Sequence, residues 1–513
     1  MLPTHILFSE SLFLFSPDSP SLVIWHYTLC HMAFKLFFSS LGGSYMDRMI
    51  FLNGCTANYS VHNHSDRPLS GRASKSMKRP LEQIPFNPAR WPFFYGWVIL
   101  FWGVVGVVLS VPGQTTGVSA FIEPLIEGLG ISRMQISGAY MFGTLASSFL
   151  LTPAGKLFDR IGARWMGFGS CAALGIVLLL LSQTGRFATQ LAKLMPEHVA
   201  VIGLLSLLFL LLRLSGQGIL TMASRNMVMK WFNHHRGLAS GISGAAVSFG
   251  FSYTPTLFSG MIAERGWSGT WLLLGILLVL VFAPLLLLFF RDNPEASGLI
   301  PDGKAHSSND RDKTETFHQF TLAETRRTLP FWAFTLTMSL QALVLTAVTF
   351  HIESIFNLAG MNGSKGFEIF PPIAFISIAV TLLGGWLSDR TQLRWFLVAM
   401  LLAMAVNLFG LSRLAPGWPV ACLIVGGGVA NGLFGILMSV TWPRYYGREH
   451  LGAISGLCMT FMVIFSSIGP ALYSTILKLT GSYAIGNLAS LLAALALLGV
   501  AARARNPQRE QPS

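Results

Sequence analysis

Long apolar runs broken by short polar turns dominate this chain. Twelve of them reach the roughly 20 residues that a helix needs to cross a bilayer, near 93–113, 136–154, 165–183, 199–221, 238–260, 270–290, 331–352, 368–387, 395–412, 418–440, 452–474 and 482–502. Six precede residue 291 and six follow residue 330. The polar stretch from Arg291 to Arg327, with Pro294, Pro301 and a Ser-Ser-Asn-Asp-Arg-Asp-Lys run, reads as a solvated linker. The pattern predicts an all-α integral membrane protein of twelve transmembrane helices in two pseudo-symmetric six-helix bundles. These cover 77–290 and 330–502, joined by a linker at 291–329 and followed by a tail at 503–513. Residues 1–76 stand apart. Their two short apolar stretches are interrupted by Pro17, Pro20, His26, His31 and Lys35, and no Lys or Arg precedes Lys35 to make the basic start of a signal peptide. A poorly ordered extension is expected there, with Met77 a candidate alternative start.

Composition supports lipid as the main solvent. The chain is 52% hydrophobic and 11% charged, whereas a soluble protein has about 25% charged residues. The formal charge of +13 does not point to nucleic acid, because the basic residues are spread over short turns and form no single patch. Counted by loop from Arg72 onward, 24 Lys and Arg fall on one side of the membrane and seven on the other. This places both termini in the cytoplasm and suits a plasma (inner) membrane. Cys30, Cys55, Cys171, Cys422 and Cys458 form no Cys-x-x-Cys pair, so neither a disulfide framework nor a zinc site is implied. Gly426-Gly427-Gly428 lacks the Lys-Ser/Thr of a phosphate loop, and no His-Glu-x-x-His or Gly-x-Ser-x-Gly occurs. The chain therefore reads as a non-enzyme without metal or cofactor, whose partners are the lipid bilayer and a small solute. A monomer is expected.

One charged turn occurs twice. Residues 155–164 read Gly-Lys-Leu-Phe-Asp-Arg-Ile-Gly-Ala-Arg and residues 385–394 read Gly-Trp-Leu-Ser-Asp-Arg-Thr-Gln-Leu-Arg. Gly155, Asp159, Arg160 and Arg164 recur as Gly385, Asp389, Arg390 and Arg394, each at an offset of 230 residues. Repetition of a charged turn in two apolar halves suggests halves that move against each other. With twelve spans and a central loop, the first turn resembles the Gly-x-x-x-Asp-Arg-x-Gly-x-Arg/Lys signature of the major facilitator superfamily at every fixed position. The second departs at Gln392, which stands where Gly162 does. Phe94-Tyr-Gly-Trp-Val-Ile-Leu100, the turn Trp442–Gly456 with its echo Trp231–Gly241, and Gly469-Pro470 followed by Thr480-Gly-Ser-Tyr483 resemble the branch holding monocarboxylate transporters and oxalate/formate antiporters. That resemblance implies the major facilitator fold and secondary transport by alternating access. The branch's usual cation in the eighth or eleventh span is missing here.

The candidate residues fall in two groups. A cytoplasmic gate is expected from Gly155, Asp159, Arg160, Arg164, Asp389 and Arg390. A carboxylate there can accept N–H bonds at a helix start and pair with arginine, and the resemblance suggests Arg225 and Arg444 as partners. For substrate or coupling, Arg213 stands out: an arginine in mid-span costs at least about 2.5–3.5 kcal/mol, and it opens an Arg-x-x-Gly-x-Gly element with Gln217. Gln114 and Thr115 lie where Pro112, Gly113 and Gly117 loosen the first span. Gln341 and Asn431 are polar positions inside spans that either bind solute or tie helices together. His351 ends span 7 as a group able to sense pH. The expected solute is an organic anion such as a carboxylate, with a coupled proton or counter-anion. The alternatives are a proton-coupled exporter of drug-like compounds and a non-transporting membrane sensor.

Overall fold

The computed structural model describes residues 84–303 and 318–509, except 192, 194 and 195. All belong to one unit, Met77–Ser513. The expected extension at 1–76 lies outside the described residues. Among the described residues, nine helices are long and apolar enough to cross a membrane. The longest helix, Arg133–Ser182, breaks at Gly162, and Arg236–Leu277 breaks at Gly266. With those breaks, and with the shorter helix Gly96–Leu109, every expected span has a helical counterpart. We number them α1 (Gly96–Leu109), α2 (133–161), α3 (163–182), α4 (197–231), α5 (236–265), α6 (267–289), α7 (Leu329–Leu358), α8 (Phe370–Ser388), α9 (Leu393–Ser412), α10 (Trp418–Tyr446), α11 (Leu451–Thr480) and α12 (Ala484–Arg503).

Local chemistry sets the helix ends. Ser132 caps α2 in a capping box with Gln135, and Pro330, Pro371 and Pro419 occupy first-turn positions of α7, α8 and α10, where no N–H is needed. Gly162 takes φ 83°, a conformation closed to most side chains, and this turns α2 into α3. At the matching place in the second half, Gln392 adopts φ −80° and ψ 127° as the N-cap of α9. The second turn reverses the chain through ordinary extended backbone, so it has no use for the glycine.

The two halves meet along α2 with α11 and along α5 with α8. Elsewhere the helices show apolar side chains outward. Only 17% of the apolar window of α8 and 22% of that of α6 is buried inside the protein, so lipid must cover the rest. Both ends of the central segment are fixed to turns. The Asp302 carboxylate accepts N–H bonds from Asn233, His234 and His235 in the turn before α5, at 3.0, 2.8 and 3.4 Å. The Gln319 side-chain oxygen accepts from Arg448 and Glu449 in the turn before α11, at 2.8 and 3.0 Å.

Candidate functional site

The two repeated turns lie on one face of the bundle, and each reaches into the other half. The Asp159 carboxylate accepts the N–H of Gly452 at 2.7 Å and of Ala453 at 2.8 Å, at the start of α11. The Asp389 carboxylate accepts the N–H of Gly237 at 2.7 Å and of Leu238 at 3.1 Å, at the start of α5. A helix start offers free N–H groups and the positive end of the helix dipole, so a carboxylate fits there without any cationic side chain. Burial lifts the Asp389 carboxyl above the ordinary carboxylate range, and the two N–H bonds, then Arg444 and His235, pull it back down.

Glycine makes this reach possible. A Cβ on Gly155 would overlap the carbonyl oxygen of Gly452, and one on Gly452 would overlap that of Gly155. Gly237 and Gly385 stand in the same relation. One turn further along, a Cβ on Gly456 would lie 2.8 Å from the Leu151 carbonyl oxygen, and one on Gly241 would lie 2.9 Å from that of Thr381. The α2/α11 seam continues away from the turns through Thr152 to Thr460 at 3.1 Å and Thr460 to the Ser148 carbonyl at 3.0 Å.

The cationic partners differ from expectation in one half. Arg444 donates to the Ser388 carbonyl and stands beside Asp389. Arg225 makes no hydrogen bond or ion pair with Asp159. Lys230, one and a half turns further along α4, takes the expected place: it is buried, 4.7 Å above the Phe158 ring, and donates to Asp292 at 3.0 Å. Asp292 also accepts the Ala163 N–H at 3.0 Å, which secures the Gly162 turn. Arg448 adds a cross-half tie, donating to the Lys230 carbonyl and to Glu295, both at 2.6 Å. Arg160 and Arg390 are exposed, Arg390 over the Trp386 ring at 3.9 Å. Arg164 is buried and holds its own half together, donating to the carbonyls of Leu287 at 2.7 Å and Ile84 at 2.8 Å.

The expected solute residues cluster in the first half. α1 ends at Leu109, and a 3-10 turn over Val111–Gly113 precedes a short helix at Thr115–Ser119. Gln114 donates to Ser110 and Thr221, both at 3.1 Å. Arg213 is 3% exposed, donates to the Gly113 carbonyl at 3.2 Å and to Thr115 at 3.3 Å, and lies 5.3 Å from the Tyr140 ring; its Nε has no partner. It opens a π-helical segment, Leu214–Leu220, in which Gln217 is half-buried. In the second half, Gln341 donates to Asn431 at 2.7 Å and ties α7 to α10 beside a cavity of about 50 Å³, enough for water and too small for an organic solute. His351 bridges α7 to α11 through the Pro470 carbonyl at 3.0 Å and Ser474 at 3.2 Å. Among the described residues no group of His, Cys, Asp and Glu is placed to hold a metal.

Sequence reasoning missed the seats at Gly237, Leu238, Gly452 and Ala453, because backbone N–H groups leave no residue signature. The echo between Trp231–Gly241 and Trp442–Gly456 was the available signal. Arg448 sits within the second of those turns, and Lys230 immediately precedes the first.

Comparison with known proteins agrees with this architecture. The family model described as Major Facilitator Superfamily matches residues 104–470. An uncharacterized 38 kDa protein in the 23S RNA operon of Thermoproteus tenax is 26% identical over 399 residues, covering 76% of this chain and 92% of that protein. Among solved structures, the proton:xylose symporter XylE with bound 6-bromo-6-deoxy-D-glucose is 17% identical at a TM-score of 0.58, covering 78% of this chain and 94% of its own. The human organic anion transporter MFSD10 (TETRAN) is 12% identical at 0.55, covering 79% and 99%. A variant of the E. coli fucose:proton symporter FucP is 15% identical at 0.56, covering 80% and 98%. At these identities the likeness concerns the fold.

Proposed function

The chain belongs to the Major Facilitator Superfamily, and from that membership we propose a secondary active transporter that moves a small organic anion, such as a carboxylate, by alternating access. The single observation that carries the moving-halves part is the exchange of carboxylates: Asp159 seats on the second half and Asp389 on the first. Four N–H bonds to two carboxylates, with two pairs of touching glycines, form a latch made of separable contacts. Charge-assisted bonds of this kind contribute about 1.5–3 kcal/mol each, so the four together favour the closed state and opening needs a compensating gain elsewhere. The face bearing the turns is the cytoplasmic one in this reading, because the basic residues concentrate there. The chain as described is then closed to the cytoplasm.

The anion reading rests on α4. Arg213 and Arg225 lie on it, and none of the six first-half spans, 93–113 to 270–290, contains an Asp or Glu to neutralise them. The resemblance to the monocarboxylate and oxalate/formate branch supports the same class.

The test is uptake of a labelled solute pool into proteoliposomes, with oxalate, succinate and acetate as competitors. Competition by at least one carboxylate, and not by its neutral amide, is expected. Transport unaffected by all of them, and blocked by an amphipathic cation, would favour the exporter.

A further inference from the structure

The cation assigned by sequence to the gate stands elsewhere. On α4, Thr221 bonds to Ser110 at the end of α1, at 3.0 Å, and Ser224 and Val228 press on Gly106 and Gly103 of α1. Asn226 points instead to the other half, donating to Ser455 of α11 at 2.8 Å. Successive helix residues are rotated by about 100°. Arg225 therefore falls about 40° past Thr221 and about 100° short of Asn226, in the sector between α1 and the opposite half. It is half-buried. Among the described residues nothing hydrogen-bonds to it or pairs with its charge. Arg213 differs: a carbonyl, a hydroxyl and a ring already hold it, and it secures the broken end of α1.

Two further observations describe the surroundings of Arg225. Thr221, which Gln114 reaches, lies one turn away on the same side of α4, so the guanidinium continues a polar stripe. Its neighbour Asn226 bonds to Ser455, one turn along α11 from the Asp159 seat at Gly452 and Ala453. The cation thus stands immediately behind the latch. An unpaired guanidinium inside a membrane protein is costly unless something neutralises it, and the first-half spans from 93–113 to 270–290 hold no Asp or Glu.

We propose that Arg225 receives the carboxylate of the transported anion, at the inner end of the space between the halves. This rests on the anion reading above and adds its binding residue. Arg213 is then a positioning residue. A guanidinium presents two parallel N–H donors to a carboxylate, a geometry that lysine lacks, so carboxylates are favoured over halide-like point anions.

The experiment is a thermal-shift titration of the purified full chain with acetate, oxalate, succinate and benzoate, each beside its neutral amide. At least one carboxylate should raise Tm where its amide does not. Arg225→Gln should abolish that selectivity, and Arg225→Lys should weaken half-saturation about tenfold while keeping carboxylate above amide. Asp159→Asn should bind the same probe. Survival of wild-type half-saturation in Arg225→Gln would overturn the assignment while leaving the anion reading intact. Failure of every carboxylate to shift the wild type would overturn both. Where Arg225→Gln fails to fold, Arg225→Lys decides: an unchanged half-saturation overturns the assignment.

Discussion

Gly155 of the first half and Gly452 of the second face each other so closely that a Cβ on either would overlap the carbonyl oxygen of the other. In the proposed alternating-access cycle this contact belongs to the closed arrangement, so bulk there acts on the closed state. Overpacking of this kind costs about 1–3 kcal/mol. Gly155→Ala should shift the equilibrium toward the cytoplasm-open form by about tenfold, since 1.4 kcal/mol is a factor of ten. Labelling of a cysteine introduced at Ser455, in a cysteine-depleted background, measures this. Gly138→Ala, where a Cβ meets nothing within 4 Å, should leave labelling unchanged; equal effects from both would refute the steric account.

Asp159→Asn tests the seat. The amide keeps one acceptor oxygen but turns an N–H donor toward a backbone N–H, leaving one buried donor unsatisfied at a cost of about 1–3 kcal/mol. Flux in proteoliposomes should fall several-fold or more at normal membrane levels. Unchanged flux would remove Asp159 from the mechanism.

Acid should favour the closed form. In the closed arrangement burial raises the Asp389 carboxyl above its ordinary value, while an open form would expose it. The closed state therefore binds the proton more tightly. Its stabilisation from this group is complete below the ordinary carboxylate range and is lost as pH rises through the raised value. Protonation, unlike the asparagine change, leaves both oxygens able to accept. Labelling of a cysteine at the buried Ser240 should slow on acidification across that window, and in Asp389→Asn that part of the pH dependence should vanish. A rise in labelling with acid would reverse the sign and refute the linkage.

The two arginines that end the repeated turns should behave differently. Arg164 satisfies two carbonyls inside its own half, so Arg164→Ala should cost about 2–4 kcal/mol of stability. It should appear as lost folded yield and lower Tm. Arg394 leaves its Nε unbonded and lies 5.0 Å from the Trp395 ring, and Arg394→Ala should cost about 1 kcal/mol or less. Equal losses would mean that the second turn depends on contacts other than these.

The spans were legible because lipid enforces a simple rule: about 20 apolar residues, with polar groups only at the ends. Both carboxylates were legible because positive-inside topology has no use for an aspartate. Their seats were not. Pattern reading expected N–H groups of a helix start together with an arginine such as Arg225 for Asp159, but it named no helix start, and the N–H groups are those of Gly452 and Ala453 in the opposite half. The Gln392 departure looked like a decayed copy, but the dihedral at that position shows a different turn geometry. Lys230, in the last turn of α4, and Arg448, in the turn before α11, were obscured because other cations crowd the sequence around each, and only packing tells which of them points inward.

The exchange of carboxylates has a bearing on origin. Each half carries one carboxylate and one seat, and each uses the other's: Asp159 with Gly452, Asp389 with Gly237. That reciprocity is the contact pattern of an isologous two-fold dimer, in which i meets j and j meets i. A single half could not fasten to itself in this way, but two identical copies could. The interface of this chain therefore has the form that a pair of separate six-helix subunits would need to fasten to each other.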